Sequence, residues 1–289
     1  MKTYRQIVHD LCLVYSEGEA RALARWLCEE RFDLSQADIL LGKDNQLSAD
    51  DIEVLREITS RLIKHEPIQY ILGETDFCGH RFSVAPGALI PRPETAELVG
   101  HILQSLDSDA TVSILDIGTG TGCIGLSLAL GLPQARVTAW DISPEALTIA
   151  RRNAERYPEA DFYLEQADIL NPVDDNRRWD LIVSNPPYVR QSEAAQMAPN
   201  VLRYEPHLAL FVPDDNPLQF YRSILWYAMS HLAPKGVIWF EINQALGEEM
   251  RHLIEYFGFS RVEILKDGFG NDRFARCEKP EWGVKVFIK

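Results

Sequence analysis

The chain has 289 residues, 46% of them hydrophobic, which is enough for one full domain plus a smaller one around a sizeable core. Its 29 basic and 43 acidic side chains leave a formal charge of -14, a poor match to a protein that grips a phosphate backbone through bulk attraction. Five cysteines (Cys12, Cys28, Cys78, Cys123 and Cys277), an odd number with no C-x-x-C spacing, suggest neither a disulfide framework nor a zinc site, so no metal is expected.

The N-terminus, MKTYRQIVHDLCLVY, carries Asp10 and lacks an apolar core of signal-peptide length. No stretch approaches the roughly 18 uninterrupted apolar residues of a spanning helix. The expectation is a cytoplasmic protein without a membrane partner.

Residues 1–73 read as a small helical bundle. Between Glu17 and Phe32, the residues Ala20, Leu23, Ala24, Leu27 and Cys28 recur at three- and four-residue spacing, which puts them on one helix face. Ser48 opens S-A-D-D, a start resembling a capping box with Asp51 in the acidic position. The helix that follows carries Ile52, Leu55, Ile58, Leu62 and Ile63 on one face, and Pro67 is expected to end the run. Lacking clustered nucleophiles or metal spacing, this region suits recognition better than chemistry.

Residues 74–92 place Phe77, Gly79, Phe82 and Val84 among turn formers, the pattern of a hairpin linker. PGALIPRPET then enters a helix, with Pro93 suited to its first turn and Glu94 complementing its positive end. From Val112 strands and helices alternate through residue 289. VSILDI, ARVTAWDI, DFYLEQAD, WDLIVSNPPY and GVIWFEI are the first five strands, which predicts a mostly parallel sheet with helices on both faces. SRVEILKD and RFARCEK have only DGFGND between them, so they are expected as an antiparallel edge hairpin, completing seven strands. The path of the 190–217 segment, with four prolines, does not follow from its pattern.

Two loops carry the chemistry. ILDIGTGTG sets Gly118, Thr119, Gly120, Thr121 and Gly122 between a strand and a helix, where glycine allows a tight turn and close approach of backbone N–H groups to a ligand. Asp141, 19 residues past Gly122, ends the next strand, where a carboxylate can accept from ribose hydroxyls. A dinucleotide fingerprint is G-x-G-x-x-G, whereas this spacing is G-x-G-x-G. Asp116 would repel a pyrophosphate and suits the ammonium of a methionine moiety better. Asp168, at the end of the third strand, is placed to accept from an adenine amino group, or Ile169 to pack on the ring while its backbone accepts, although Asp168 also suits a turn or cap.

The second loop is Asn185-Pro186-Pro187-Tyr188, after the fourth strand. Two prolines stiffen the turn and remove two donors, leaving the Asn185 side-chain oxygen and the Pro186 carbonyl as acceptors. Tyr188 adds a flat face. A planar NH2 can donate to both acceptors, which aims its nitrogen at a methyl group and favours the charge that builds there.

With these residues in view, the chain resembles the release factor glutamine methyltransferases along essentially its whole length. The resemblance rests on EPIQYILGETDFCGHRF at 66–82, LIPRPET at 89–95, ILDIGTGTG at 114–122, AWDIS at 139–143, VSNPPYV at 183–189, YEPHLAL at 204–210, then LQFYRSIL and DGFGNDR. It implies a Rossmann-like class I methyltransferase domain at 93–289 behind the hairpin linker and the helical substrate-recognition domain. It further implies methyl transfer from S-adenosylmethionine to the glutamine of a Gly-Gly-Gln loop in class 1 release factors. By position, Gly118 to Gly122, Asp141 and Asn185 look like cofactor contacts, Asn185 to Tyr188 like the amide clamp, and Arg92 to Thr95 like the wall of the methionine end. Two positions depart from the family pattern: Asn243, where Gly is frequent, and Ile169, where an aromatic residue is frequent.

Two rivals share parts of the pattern. An adenine-N6 nucleic-acid methyltransferase also uses NPPY on a planar NH2, but the charge of -14 counts against it. An oxidoreductase or a non-catalytic binding module could use the same fold; NPPY argues against both.

Overall fold

The computed structural model describes residues 3–172 and 175–280. Residues 1–2 and 281–289, the ends of the expected helical and methyltransferase regions, lie outside the described residues. The contacts divide the chain into two units, Met1–Glu74 with Ala198–Tyr204, and Thr75–Met197 with Glu205–Lys289.

The first unit is built from α1 (Thr3–Leu11), α2 (Glu17–Phe32), α3 (Gln36–Leu40), α4 (Ala49–Ile63) and α5 (Ile68–Leu72). Ser16 caps α2 by accepting from the Glu19 N–H, and Ser48 and Asp51 form a reciprocal capping box on α4. The apolar stripe of α2 buries Ala20, Ala24, Leu27 and Cys28 against Leu55, Ile58 and Leu62 of α4, together with Ile7 and Leu11. Pro67 does not end α4. The helix stops at Ile63, where His65 takes a left-handed conformation with φ 66°. Its N–H donates to Leu62 O and the Glu66 N–H to Arg61 O, a Schellman closure that satisfies the last carbonyls. An Arg61–Glu66 ion pair closes the same turn, and Pro67 instead opens α5. The segment Ala198–Tyr204 joins this unit although it lies far along the chain; Tyr204 Oη donates to Lys64 O at 3.0 Å.

A hairpin of β1 (Glu74–Phe77) and β2 (His80–Ser83) leads into the second unit. Cys78 and Gly79, both at positive φ, make its two-residue turn, the geometry that matches strand twist. The hairpin is no loose linker. Asn153 accepts from the Ser83 N–H and donates to Ser83 O and Thr121 O, which pins it beside the glycine loop.

The chain continues through α6 (Pro93–Gln104), β3 (Ser113–Ile117), α7 (Cys123–Gly131), β4 (Arg136–Asp141), α8 (Pro144–Arg156), β5 (Phe162–Gln166) and β6 (Trp179–Ser184). It then passes β7 (Val189–Arg190), α9 (Pro199–Tyr204) and β8 (Phe211–Val212). It ends with α10 (Gln219–His231), β9 (Leu232–Glu241), α11 (Gly247–Tyr256), β10 (Ser260–Lys266) and β11 (Asp272–Glu278). The seven-stranded sheet has the order β10-β11-β9-β6-β3-β4-β5. Only β11 runs against the rest, inserted between β9 and β10. Strand residues alternate between two cores: Leu115, Ile117, Ile182 and Phe240 face one, while Ile114, Leu181, Val183 and Trp239 face the other. The segment after β6 is ordered by β7 pairing in parallel with β8, a contact the sequence pattern did not reveal. Among the described residues no helix is long and apolar enough to cross a membrane.

Strand order reverses at β3, whose neighbours are β4 on one side and β6 on the other. In an open parallel sheet this switch point leaves a crevice at the carboxyl ends of the strands, where loops can reach a ligand from both sides. The glycine loop follows β3, Asp141 ends β4 and Asn185 follows β6, so all three converge there.

Candidate active site

A cavity of about 230 Å³ opens at this crevice. Its walls include Gly118, Thr119, Gly120, Thr121, Asp141, Asp168, Ile169, Asn185, Pro186 and Pro187, gathered from four separate loops. Of the residues singled out in the sequence, Gly122 and Tyr188 are not among those that line the cavity, nor are Asp116, Pro93 and Glu94, whereas Arg92 and Thr95 are.

The glycine loop is held from below. Gly118 and Thr119 N–H groups both donate to Trp140 O, at 2.8 and 2.9 Å. Gly118 and Gly120 sit at φ 73° and 57°, and a Cβ on either would meet no atom within 4 Å, so their open faces are a ready cradle for a ligand. Gly122, at φ 83°, has a packing role instead: a Cβ there would press on Leu126, Ala150 and Phe162.

Asp141 is both wall and brace. One carboxylate oxygen accepts from Gly120 N–H at 2.8 Å and the other from Ser143 N–H at 2.9 Å, which ties the loops after β3 and β4 together. Burial raises its pKa, and those backbone donors pull it back down. Asp116 is not placed for the ammonium role expected of it. It is fully buried, outside the cavity wall, where Oδ2 accepts from Thr119 Oγ1 and Gly125 N–H. Burial pushes its pKa up to about 7.

Asp168 lines the cavity, yet its own oxygens accept from Leu170 N–H and Asn171 Nδ2, the turn role that also fitted the sequence. Ile169 is buried against the core beside Trp140. Ile142, Leu170 and Leu208 are exposed apolar side chains on the cavity wall. Arg92 is the cation among the described lining residues; it donates to Glu205, whose buried carboxylate also accepts from Ile90 N–H.

Asn185 is fixed by a network that sequence reasoning missed. Its Nδ2 donates to Thr95 Oγ1 at 3.1 Å, and Thr95 Oγ1 donates to Glu241 Oε2 at 2.6 Å. Tyr188 Oη donates to the other Glu241 oxygen at 3.1 Å. Glu241 is 1% exposed. Burial raises its pKa, while both hydroxyls and the Arg273 charge favour the carboxylate. Tyr188 is pushed up by burial and by Glu241, so it keeps its proton and donates. Its ring packs on the core, and the free stacking face expected of it is not presented to the cavity. The readable signal for Glu241 was the one used for Asp141, an acid at the carboxyl end of a parallel strand. Asn243 has a use as well: Nδ2 donates to Tyr188 O and to Glu193 Oε2, both at 3.2 Å, stapling the NPPY turn.

The strand order, the glycine loop after β3 and the NPPY turn after β6 define a class I methyltransferase. The family described as Methyltransferase small domain matches residues 99–205, and that described as PrmC N-terminal domain matches residues 6–73. A solved Thermus thermophilus 16S rRNA N2 G1207 methyltransferase, in complex with AdoMet and guanosine, is similar in fold with a TM-score of 0.53 at 19% identity, covering 71% of this chain and 49% of that one. A solved methyltransferase from Pyrococcus furiosus gives 0.50 at 20% identity, covering 69% and 88%.

Curated relatives are much nearer. The release factor glutamine methyltransferase of Bacteroides thetaiotaomicron is 48% identical over 95% of this chain and 97% of its own length. That of Flavobacterium psychrophilum is 44% identical over 96% and 98%. The chain belongs to the release factor glutamine methyltransferase family.

Proposed function

We propose that this enzyme moves a methyl group from S-adenosylmethionine to the side-chain N5 of the glutamine in the Gly-Gly-Gln loop of class 1 peptide chain release factors. The products are N5-methylglutamine and S-adenosylhomocysteine. The observation that carries the reading is the Asn185 amide, whose NH2 is anchored to Thr95 so that its oxygen is left to accept from a planar NH2. Family membership narrows that NH2 to a glutamine amide.

The cavity suits the methyl donor. The open cradle of Gly118 and Gly120 admits a close backbone approach, and Asp141 has lone pairs left for ribose hydroxyls. Ile142, Ile169, Leu170 and Leu208 offer an apolar surface to an adenine, with Ile169 in place of an aromatic stack. Arg92 provides the charge for a methionine carboxylate. When bound, S-adenosylmethionine supplies an electrophilic methyl group on a sulfonium.

The protein's own part is orientation. Asn185 Oδ1 and the Pro186 carbonyl accept the two N–H bonds of the substrate amide, which turns the nitrogen's remaining face toward the methyl. The same acceptors stabilise positive charge as the N–C bond forms. The proton leaves after transfer, so no strong base is needed at the turn. The first helical unit serves recognition of the folded factor, and the reaction belongs in the cytoplasm with translation.

The test offers labelled S-adenosylmethionine with a purified release factor, the same factor with its Gly-Gly-Gln glutamine changed to alanine, and DNA. Label on the intact factor alone is expected. Label on DNA would replace this reading with adenine-N6 methylation.

A further inference from the structure

We propose that Thr95 and Glu241 are positioning residues that decide which end of the Asn185 amide faces the substrate, an inference resting on the amide-clamp reading above. An asparagine side chain has two ends of nearly equal shape and opposite polarity. Turned by 180°, Asn185 would present an NH2 to a substrate NH2, and the clamp would repel what it must hold.

The choice follows from counting protons along the network. Glu241 is buried at the end of β9, and its two oxygens take the hydroxyls of Thr95 at 2.6 Å and Tyr188 at 3.1 Å. A hydroxyl has one proton to give. With that proton committed to Glu241, Thr95 Oγ1 can only accept from its neighbour at 3.1 Å, so Asn185 must turn its NH2 there. Asn185 Oδ1 is thereby left for the substrate. The polarity is set from beneath, by a carboxylate that touches neither methyl donor nor substrate amide. The fold secures the pieces separately: Thr95 lies in the first turn of α6, and Tyr221 Oη holds the Glu241 backbone by donating to its carbonyl at 2.9 Å.

The experiment compares full-length wild type with Thr95→Val, Thr95→Ser, Asn185→Ala and the Thr95→Val/Asn185→Ala pair, measuring kcat on a release factor and S-adenosylmethionine affinity by calorimetry. Asn185→Ala should lower kcat by roughly 10²–10³, the scale for losing one preorganised polar group. Thr95→Val should lower it by about 10²-fold, as for a misplaced reacting group, a larger loss than any weakening of cofactor affinity that follows from Thr95 lining the cavity. Thr95→Ser, which keeps the hydroxyl, should restore it. Because Thr95 acts through Asn185, the double variant should match Asn185→Ala to within about twofold. Losses that multiply in the double variant would overturn the proposal, as would wild-type kcat in Thr95→Val.

A second readout does not depend on activity. Hydrogen exchange of the one Asn185 Nδ2 proton donated to Thr95 should be slow in wild type and in Thr95→Ser, and fast in Thr95→Val. Equal exchange in all three would also overturn it. A wild-type enzyme that labels no release factor, yet shows this exchange pattern, would fault the functional reading alone.

Discussion

At the scale of single residues, the carboxylates of this site do different work because their surroundings differ. Asp141 holds two backbone N–H groups and still faces the cavity, so it serves loop and ligand together. Asp141→Ala is expected to weaken S-adenosylmethionine binding by about 1.5–3 kcal/mol, the range for a charge-assisted hydrogen bond, and calorimetry reads it directly. Unchanged affinity would remove Asp141 from the ribose contact. Asp116 does not line the cavity, and among the described residues no cation offsets its charge. Its folded carboxyl keeps a proton up to about 7, whereas an unfolded one releases it in the ordinary carboxylate range. The folded state therefore binds more protons between those limits, and stability falls as pH rises through them. An amide does not titrate. In Asp116→Asn the melting temperature relative to wild type should climb from about pH 4 to about pH 7 and then level off, and a flat difference across that window would contradict the buried acid.

At the scale of elements, local chemistry was largely readable. Ser48 with Asp51, and Pro93 mark helix starts through short-range hydrogen bonds and a fixed φ, and each starts a helix where the pattern predicts one. The exception is the end of α4. Pro67 is a visible breaker, but the left-handed turn at His65 acts first and leaves no proline or glycine signature. The hairpin of β1 and β2 was legible as an element and illegible in its attachment. Asn153, from α8, makes three hydrogen bonds that join it to the glycine loop. Asn153→Ala would strand buried Ser83 and Thr121 groups and should cost about 1–3 kcal/mol for each group left unpaired. Thermal or urea unfolding checks this; a loss below about 0.5 kcal/mol, the level of a surface change, would mean the hairpin is held otherwise.

At the scale of the whole molecule, the alternation of strands and helices determined the sheet, and its order placed three loops at one crevice. The division into units needs contacts, since α9 lies in the late chain and packs with the N-terminal helices. If those helices recognise the folded release factor, removing residues 1–72 should leave cofactor affinity largely unchanged. Methylation of the folded factor should then fall more than methylation of a short Gly-Gly-Gln peptide. Equal loss on both substrates would show that the helices support the catalytic domain instead of reading the factor.

The sequence by itself determined the class of fold, the glycine loop, Asp141 and the NPPY turn. These signals are local: a strand, a turn and a helix written in consecutive residues, with chemistry set by residue type. Only the tertiary structure decided that Asp116 and Gly122 do not line the cavity, that Tyr188 turns to Glu241, and that Thr95 reaches Asn185 across 90 positions of chain. Those facts depend on which strand ends become neighbours and on which polar groups are taken out of water together. Neither is written in any single stretch of the sequence.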